Sequence, residues 1–415
     1  MGSCRRRPRQ LAPGRTPAAV VATVLIFGLG CSAGSLPAMA QQDLAPAAAL
    51  ERLFAADSLS ADWFAPNFLT QVPLAQVELI VTQLRAALGE LQAVEGAGTD
   101  YRLTFARGAV PAQIVLDDRG RITGLFFGPP EARATGLDEA LASFAELPGQ
   151  VSVLVLRDGV ELAALNADAP LAVGSAFKLA VLAALRQEIE AGQRAWTDVV
   201  RLEAAWRSLP TGILQAWPVG SPLSLHTLAA LMISLSDNTA TDALIHILGR
   251  EAVEAFSLRN RPLLTTREYF TLKNPANGDL LERYRAADEA GRRAVLADVP
   301  RRPLPDPGLL AVPRALDLSW FFSTRELCAL MGLVQDLPLM AVNPGVADPG
   351  DWLRVAYKGG SEPGVLNLTT ALAAGAGHGY CVSATWNHSE ALEDLRFYGL
   401  YSGLLQALRQ LSNAP

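Results

Sequence analysis

The residues best placed to do chemistry are a serine and a lysine near the middle of the chain. Ser175 and Lys178 stand three positions apart at the start of an apolar, helix-patterned run that extends to about Ala191. Side chains with this spacing share one face of a helix, so the hydroxyl and the amine can touch. A serine is a weak nucleophile unless a base takes its proton, and the unpaired amides of a first helical turn favour negative charge. The pair therefore predicts nucleophilic catalysis with Lys178 as the base.

Lysine is scarce in this chain, which makes each one informative. Of 35 lysines and arginines only Lys178, Lys273 and Lys358 are lysine. A general base must lose its proton near neutral pH, which a buried lysine can do and an arginine cannot. Lowering a lysine pKa from about 10.4 to near 7 requires burial or a second cation, and Lys358 is the candidate cation. Lys273, beside Asn274-Pro275, is interpreted as a solvated lysine.

Two further motifs follow the serine and lysine in order. Ser236-Asp237-Asn238 lies between two helix-patterned segments, and Lys358-Gly359-Gly360-Ser361 ends a predicted strand. Each motif alone has a structural explanation. Ser236-Asp237-Asn238 is also typical of a capped helix start, and Lys358-Gly359-Gly360 of a strand end before a Gly-Gly turn. Ser175 is also typical of a helix cap. Their order, with lysine so scarce, favours catalysis.

The three motifs together resemble those of the class A serine β-lactamase and penicillin-binding superfamily. The resemblance covers residues 149–415 and implies an α+β fold, with an antiparallel sheet flanked by helices. It also implies four catalytic roles. Ser175 would attack a carbonyl, Lys178 would take its proton, Ser236 would relay a proton to the leaving group, and Lys358 would support that relay electrostatically.

The same resemblance implies a substrate-binding set. Asn238 would contact an amide side chain of the substrate. The backbone N–H groups of Ser175 and Ser361, the latter next to Gly360, would form an oxyanion hole worth about 3–4 kcal/mol per donor.

The sequence departs from the superfamily pattern at two places. Gly359 stands where the superfamily has Thr or Ser, a hydroxyl that helps to hold a substrate carboxylate. No Glu-x-x-Leu-Asn signature, which carries the deacylating glutamate of class A enzymes, follows the second motif. Glu268 is the nearest candidate, but its spacing is wrong and a surface salt bridge is the favoured role for it. We expect slow deacylation.

The chain divides into three predicted segments: residues 1–40, 41–148 and 149–415. The middle segment reads as a small α+β domain, isomerase- or cystatin-like, without catalytic spacing. This layout is similar to that of the two-domain β-lactamase-fold serine hydrolase of clavulanic acid biosynthesis. Elements are predicted at 49–56, 75–88, 101–105, 112–116 and 122–127 in this domain. In the third segment they are predicted at 151–156, 160–165, 175–191, 225–234, 240–248, 279–296, 325–334, 353–357, 365–373, 379–387 and 390–410.

Residues 1–40 have the pattern of a secretory signal. Five arginines precede an apolar run from Ala18 to about Cys31, and Ala38-Met39-Ala40 forms a cleavage site. The run is short for a bilayer span, which needs about 20 residues, so no stable membrane span is expected after cleavage. Lipid attachment at Cys31 ranks below cleavage after Ala40. The predicted location is periplasmic or secreted, where Cys328 and Cys381 either pair or stay as buried thiols.

Charge and composition exclude several classes of partner. The formal net charge is −6, and removing the five arginines of the signal lowers it by five to −11, which argues against nucleic acid. The four histidines show no H-x-H or H-E-x-x-H spacing, so we predict no metal site and no cofactor. The predicted activity is hydrolysis of a small β-lactam, amide or ester through an acyl-serine. A D,D-peptidase and a non-turnover sensing module are the alternatives, and the oligomeric state stays open.

Overall fold

The computed structural model describes residues 45–128, 130–132, 136–375 and 377–412. The predicted signal, residues 1–40, lies outside this part, as does Cys31. Within the described ranges no helix has both the length and the apolar character that crossing a membrane requires.

The amino-terminal region folds as a small sheet covered by helices. Its elements are α1 (Pro46–Ala55), α2 (Pro66–Gln71), α3 (Leu74–Leu88), β1 (Leu91–Ala97), β2 (Asp100–Phe105), β3 (Gly108–Leu116), β4 (Ile122–Phe127) and β5 (Glu131–Ala132). The strands are antiparallel in the order β1-β2-β3-β4, and β5 pairs with β3. Leu50 and Leu53 of α1, Leu84 of α3, Leu103 of β2 and Ile114 of β3 form one apolar core, because each points from its element toward the others.

Five elements of this region lie where the sequence predicts them, and three were missed: α2, β1 and the two-residue strand β5. The predicted segments correspond to α1, α3 and β2 to β4. Helix α2 has only six residues, and strand β1 ends in the exposed run Glu95-Gly96-Ala97. Short helices and strands without apolar alternation give little periodic signal, which explains these omissions.

The second region is larger and centres on a five-stranded antiparallel sheet. Its elements in chain order are α4 (Leu137–Ala145), β6 (Gln150–Arg157), β7 (Val160–Leu165), β8 (Leu171–Ala172), α5 (Lys178–Glu190), β9 (Val199–Arg201), β10 (Pro222–Ser224), α6 (Leu225–Ser234), α7 (Asn238–Leu248), α8 (Arg250–Glu254), α9 (Thr266–Lys273), α10 (Gly278–Ala286), α11 (Glu289–Leu296), β11 (Phe321–Phe322), α12 (Thr324–Val334), β12 (Arg354–Glu362), β13 (Val365–Ala373), β14 (Gly379–Asn387) and α13 (Asp394–Ser412). The sheet order is β12-β13-β14-β6-β7, so β12 is an edge strand.

Helices cover both faces of this sheet. On one face α4 and α13 pack together, with Phe144 and Phe397 edge to face at 5.5 Å between ring centroids. On the other face α12 covers β13 and β14, and α5 lies in the layer of helices behind it. All residues from Lys178 to Leu185 are buried, as expected of a helix that is apolar on every side and surrounded by protein. The predicted fold class is confirmed: an α+β fold whose antiparallel sheet is flanked by helices.

Helix α4 lies before residue 148 in the chain yet packs on the larger sheet. Its Phe144 belongs to the core of that sheet, whereas Leu395 of α13 packs against the amino-terminal core. The two regions therefore contact each other through α13. The division at residues 148 and 149 stays a prediction.

Three predicted elements need correction, and several further elements were missed. The helix at 175–191 begins with a 3₁₀ turn, Gly174–Phe177, before α5. The helical piece at 279–296 is two helices, because Asp288 caps a new helix start at α11. Helices α4, α8 and α9 and the short strands β8 to β11 were missed. Strand β12 continues from Tyr357 to Glu362, paired with β13 throughout, so Lys358-Gly359-Gly360 lies within a strand and makes no turn.

The two cysteines of the described residues form a disulfide. Cys328 on α12 and Cys381 on β14 are bonded, with their Cα atoms 5.9 Å apart. The bond ties the helical layer to the centre of the sheet. The sequence alone left pairing and free thiols equally open.

Candidate active site

The predicted site residues surround a single cavity of about 690 Å³ between the edge strand β12 and the helices. Six of the seven line it, namely Ser175, Ser236, Asn238, Lys358, Gly360 and Ser361. Lys178 is buried behind the lining and hydrogen-bonds to Ser236 and Asn238. Segments as far apart in the chain as Ser175 and Ser361 thus meet at one place. The sheet edge, the 3₁₀ turn and the α6–α7 turn supply one motif each.

Ser175 is positioned by the close approach of β12 to the 3₁₀ turn. A Cβ atom on Gly360 would lie 2.5 Å from the backbone nitrogens of Ser175 and Ala176, so only glycine allows this approach. Gly174 adopts a left-handed φ of +49°, and a Cβ there would lie 3.0 Å from the Ser361 nitrogen. The backbone amides of Ser175 and Ser361 are thereby brought to the same corner of the cavity. Among the described residues the Ser175 hydroxyl has no hydrogen-bond partner.

Lys178 is fully buried and hydrogen-bonded on the side of the α6–α7 turn. Its Nζ donates to the Ser236 carbonyl at 2.7 Å and to Asn238 Oδ1 at 2.7 Å, and it lies 3.2 Å from Ser236 Oγ. The two oxygens at 2.7 Å are acceptors only, so a neutral amine uses its two protons on them. Its lone pair then remains for a hydroxyl.

Lys358 reaches the same hydroxyl from the opposite side. Its Nζ donates to Ser236 Oγ at 3.1 Å and also to the Gly359 carbonyl. The Ser236 hydroxyl therefore links the two lysines. Ser236 adopts a left-handed φ of +53°, a conformation that costs a non-glycine residue free energy and requires support from its surroundings. Thr211 gives part of that support by donating to the Ser236 carbonyl at 2.6 Å.

Burial shifts the pKa values of both lysines downward. The pKa of Lys178 falls well below its ordinary value, mainly because burial disfavours the ammonium and also because of the nearby charge of Lys358. Asp237 and Asp242 oppose that shift in part. Burial lowers the pKa of Lys358 to about 7. A neutral Lys178 beside a partly charged Lys358 can accept a proton at neutral pH.

Asp237 and Asn238 hold the turn that carries Ser236. Asp237 Oδ2 accepts from the amides of Ile213 and Leu214 at 2.7 and 2.9 Å, and Oδ1 caps α7 through the Ala240 amide. Asn238 Nδ2 donates to the Leu209 carbonyl at 3.0 Å, which fixes its Oδ1 toward Lys178. Asp237 is therefore structural, as the sequence suggested. Asn238 orients Lys178 and keeps one amide proton free, so its predicted contact with substrate stays a prediction.

The sequence interpretation of Lys273 was wrong. Lys273 is buried and forms an ion pair with Glu362 at 2.5 Å, and it donates to the hydroxyl of Tyr269 at 2.7 Å. Glu362 follows Ser361 on β12, and its other oxygen accepts from Ser319 at 2.8 Å. The i, i+4 spacing of Tyr269 and Lys273 on α9 was available in the sequence, but Glu362 as their partner was not. All three lysines of this chain are buried at or behind the cavity.

Glu268 does not face the cavity. It closes a capping box with Thr265 at the start of α9 and forms a half-buried ion pair with Arg250 at 2.6 Å. The neighbouring positions Thr266, Tyr269 and Phe270 line the cavity instead. The Thr-x-x-Glu pattern at 265–268 is a helix-start signature that the sequence already carried.

Across the described residues no group of three or more His, Cys, Asp or Glu side chains is placed to hold a metal ion. The chemistry that the cavity can perform rests on the serine hydroxyls, the two lysines and the backbone amides.

Comparison with known proteins supports the resemblance drawn from the motifs. The sequence model of the β-lactamase enzyme family matches residues 133–276, a segment that contains Ser175, Lys178, Ser236 and Asn238 and ends before Lys358. The resemblance to the class A serine β-lactamase and penicillin-binding superfamily is thereby confirmed. No curated protein matches this chain.

Several solved structures are similar in fold at low sequence identity. A β-lactamase from Sphaerobacter thermophilus is 20% identical, with a TM-score of 0.49, over 68% of this chain and 98% of that one. The penicillin-binding protein PBP-A is 16% identical, with a TM-score of 0.45, over 68% and 97%. A β-lactamase from Chitinophaga pinensis is 15% identical, with a TM-score of 0.45, over 66% and 98%.

Proposed function

We propose that this chain is an exported serine hydrolase that acts on a small β-lactam, amide or ester through an acyl-serine intermediate. The observation that carries the proposal is the Ser236 hydroxyl, which lies within 3.2 Å of Lys178 Nζ and 3.1 Å of Lys358 Nζ in the cavity of Ser175. Two amines around one hydroxyl form a route by which a proton can cross from nucleophile to leaving group.

In the proposed acylation step, the Ser175 oxygen forms a bond to the substrate carbonyl carbon and its proton passes to the neutral amine of Lys178. The carbonyl oxygen becomes an anion, which the backbone N–H groups of Ser175 and Ser361 stabilise. When the tetrahedral intermediate collapses, the bond to the leaving nitrogen or oxygen breaks. Ser236 gives its proton to that leaving atom and regains one from Lys178.

The environment of Lys178 favours this role. Because burial and the charge of Lys358 both lower its pKa, the neutral amine is favoured and takes a proton from a hydroxyl more readily than an ordinary lysine does. Lys358 holds the Ser236 hydroxyl from the other side, and its charge supports the anionic intermediate.

We further propose that deacylation is slow. Hydrolysis of the acyl-serine needs a base to activate water, and Glu268 is occupied by Arg250 and the start of α9. Glu362 is the carboxylate among the described residues that line the cavity. Its oxygens already accept from Lys273, Tyr269 and Ser319, so it is not free to take a proton from water.

Among the described residues that line the cavity no carboxylate is free, which also favours a second candidate, a module that is acylated but does not turn over. Such a protein would bind a β-lactam or a cell-wall fragment and hold it on Ser175. A D,D-peptidase that acts on cell-wall peptides is the alternative from the same superfamily, and the same experiment tests both.

The experiment is intact-mass spectrometry of the purified chain during incubation with a cephalosporin. A transient adduct on Ser175 with accumulation of hydrolysed product supports a hydrolase, and a persistent adduct supports the non-turnover module or the peptidase. Release of D-alanine from a cell-wall pentapeptide then separates those two. Ser175→Ala is the control, and absence of any adduct on the unaltered chain with all acylating agents would overturn the proposal.

Export is part of the proposal and has its own support. The Cys328–Cys381 disulfide is stable in an oxidising compartment and rare in a reducing one. Thiol labelling after denaturation measures this bond in protein recovered from the producing cell. Free thiols at Cys328 and Cys381 would contradict export.

A further inference from the structure

A tyrosine occupies the space next to the residue at which the third motif departs from its superfamily. Gly359 stands where the superfamily has Thr or Ser. A Cβ atom on Gly359 would overlap the phenolic oxygen of Tyr357 and lie 2.9 Å from its Cζ. Residues two apart on a strand point to the same side, so the ring of Tyr357 lies along β12 and over Gly359. The side chain of Tyr357 can take this position only because residue 359 is glycine.

A second glycine, Gly345, lies against one edge of the same ring. A Cβ on Gly345 would lie 2.6 Å from two ring carbons of Tyr357, and Gly345 has a left-handed φ of +65°. The loop that carries Gly345 is anchored by Asn343, which donates to the Ser234 carbonyl at 3.0 Å and accepts from the Gly345 amide at 2.9 Å. Two glycines thus form a slot for one phenol, and the hydroxyl has a defined position.

That hydroxyl is available to a ligand. Tyr357 lines the cavity that holds Ser175 and Lys358, and its oxygen has no hydrogen-bond partner among the described residues. Burial raises the pKa of Tyr357 well above its ordinary value, and the neighbouring Tyr398 and Tyr401 raise it further. The phenol keeps its proton at all working pH values, so it can donate a hydrogen bond to an anion.

We propose that Tyr357 determines specificity at this site: its hydroxyl donates to the carboxylate of the substrate, the contact that a hydroxyl at position 359 makes in the superfamily. The inference rests on the proposed function and narrows its substrate class to acyl compounds that carry a carboxylate near the scissile bond. Lys358, the next residue of the strand, provides positive charge in the same cavity.

The test compares a cephalosporin that bears its ring carboxylate with the methyl ester of the same compound. The second-order rate constant of Ser175 acylation is measured for both by intact mass. Tyr357→Phe removes the hydroxyl and keeps the ring in its slot, so folding is preserved. We expect acylation by the carboxylate to slow by about tenfold or more, since the lost hydrogen bond joins a charged group, while acylation by the ester stays the same.

Two further variants sharpen the test. Tyr380→Phe is the matched control, because Tyr380 is buried on β14 and its hydroxyl also has no partner, but it lies away from the cavity lining. We expect no change with either substrate. Tyr357→Ala makes room at Gly359, and Tyr357→Ala combined with Gly359→Ser places a hydroxyl at the superfamily position. The double variant is expected to regain the preference for the carboxylate that Tyr357→Ala loses.

The outcomes distinguish the two proposals. Equal acylation of carboxylate and ester by the unaltered chain, or an equal loss on both in Tyr357→Phe, overturns the role of Tyr357 and leaves the serine hydrolase intact. Absence of acylation by both compounds in the unaltered chain overturns both proposals together. A selective loss on the carboxylate supports both.

Discussion

The two main sheets have the same antiparallel architecture, but the side chains buried around them differ in polarity. Each is antiparallel and covered by helices, but the described residues 45–128 contain no buried polar or charged side chain. The second region buries many, among them Lys178, Lys273, Lys358, Asp237 and Asp242. A buried charge without compensation costs several kcal/mol of folding free energy. A fold therefore retains such groups only where hydrogen bonds, ion pairs or a functional role compensate for that cost.

The difference separates a region that is held by apolar packing from one that combines packing with a network of polar groups. In the second region several of the buried polar residues meet at one cavity, where Lys178 and Lys358 hydrogen-bond to Ser236 and Lys273 pairs with Glu362. The amino-terminal region has no comparable cluster within residues 45–128. We therefore expect core substitutions in the amino-terminal region to lower the unfolding free energy without changing acylation of Ser175. Substitutions of the buried polar groups at the cavity should change acylation as well.

The largest expected effect comes from removing the proposed base. Lys178→Met preserves volume but cannot accept the serine proton, so we expect acylation of Ser175 to fall by at least about 10³-fold. The rate of adduct formation by intact mass measures this. Arg186→Met on the same helix, a half-exposed arginine that pairs with Glu190 and Asp336, is the control and should acylate normally. Fast acylation in Lys178→Met would remove the basis for assigning chemistry to the buried lysines.

The next effect concerns the ion pair behind the cavity. Lys273→Met leaves Glu362 buried without its cation, and breaking a buried pair in this way costs about 3–5 kcal/mol of unfolding free energy. Denaturant unfolding measures it. The exposed pair of Arg283 and Asp298 is the control, because Arg283→Met should cost less than about 1 kcal/mol. If the two variants are equally stable, Lys273 is solvated in solution as the sequence first suggested.

A core substitution in the amino-terminal region tests the other half of the comparison. Leu103 is fully buried, so Leu103→Ala should lower the unfolding free energy by about 2–5 kcal/mol. Folded protein should still acylate at the normal rate. Val115→Ala on the same sheet is the control, since Val115 is 47% exposed and should change stability little. A loss of acylation in folded Leu103→Ala would show that the two regions are coupled in function.

The smallest effect is a change in pH profile. The pKa of Lys358 is about 7, so it is charged below that pH and neutral above it. Acylation by a carboxylate-bearing substrate should therefore decline as pH rises through about 7. Protonation of Lys178 should reduce the rate at acid pH. In Lys358→Arg the charge persists, so the alkaline decline should disappear although the overall rate is lower. An unchanged alkaline decline in that variant would assign it to another group.

The sequence predicted which residues meet at the cavity better than it predicted the contacts around them. Ser175, Lys178, Ser236 and Lys358 were found because each belongs to a short motif with a chemical reason for its spacing. Lys273 was assigned from local context as solvated but forms a buried pair with Glu362, whereas Glu268 forms a salt bridge, the role that the sequence favoured, with Arg250 as a partner that the sequence did not identify. Their partners lie 89 and 18 residues away in the chain, and no local pattern connects them.

The secondary-structure elements show the same dependence on local sequence pattern. Long strands and apolar helices, such as β13 and α6, were predicted at their true bounds, whereas α2, β1 and α9 were missed because they are short or mostly polar. The extension of β12 to Glu362 was missed because Gly359 and Gly360 read as a turn. Pairing with β13 keeps them extended, and β12 passes so close to the Ser175 turn that a side chain at Gly360 would not fit.

The amino-acid sequence by itself determined which groups are available for chemistry: a serine and a lysine three positions apart, two further motifs, and lysine at only three positions. Only the tertiary structure decided how they act, since desolvation and the approach of one lysine to another lower the pKa of Lys178. It also decided that Tyr357 fills the space beside Gly359, because that space exists only once β12 and the Gly345 loop have packed together.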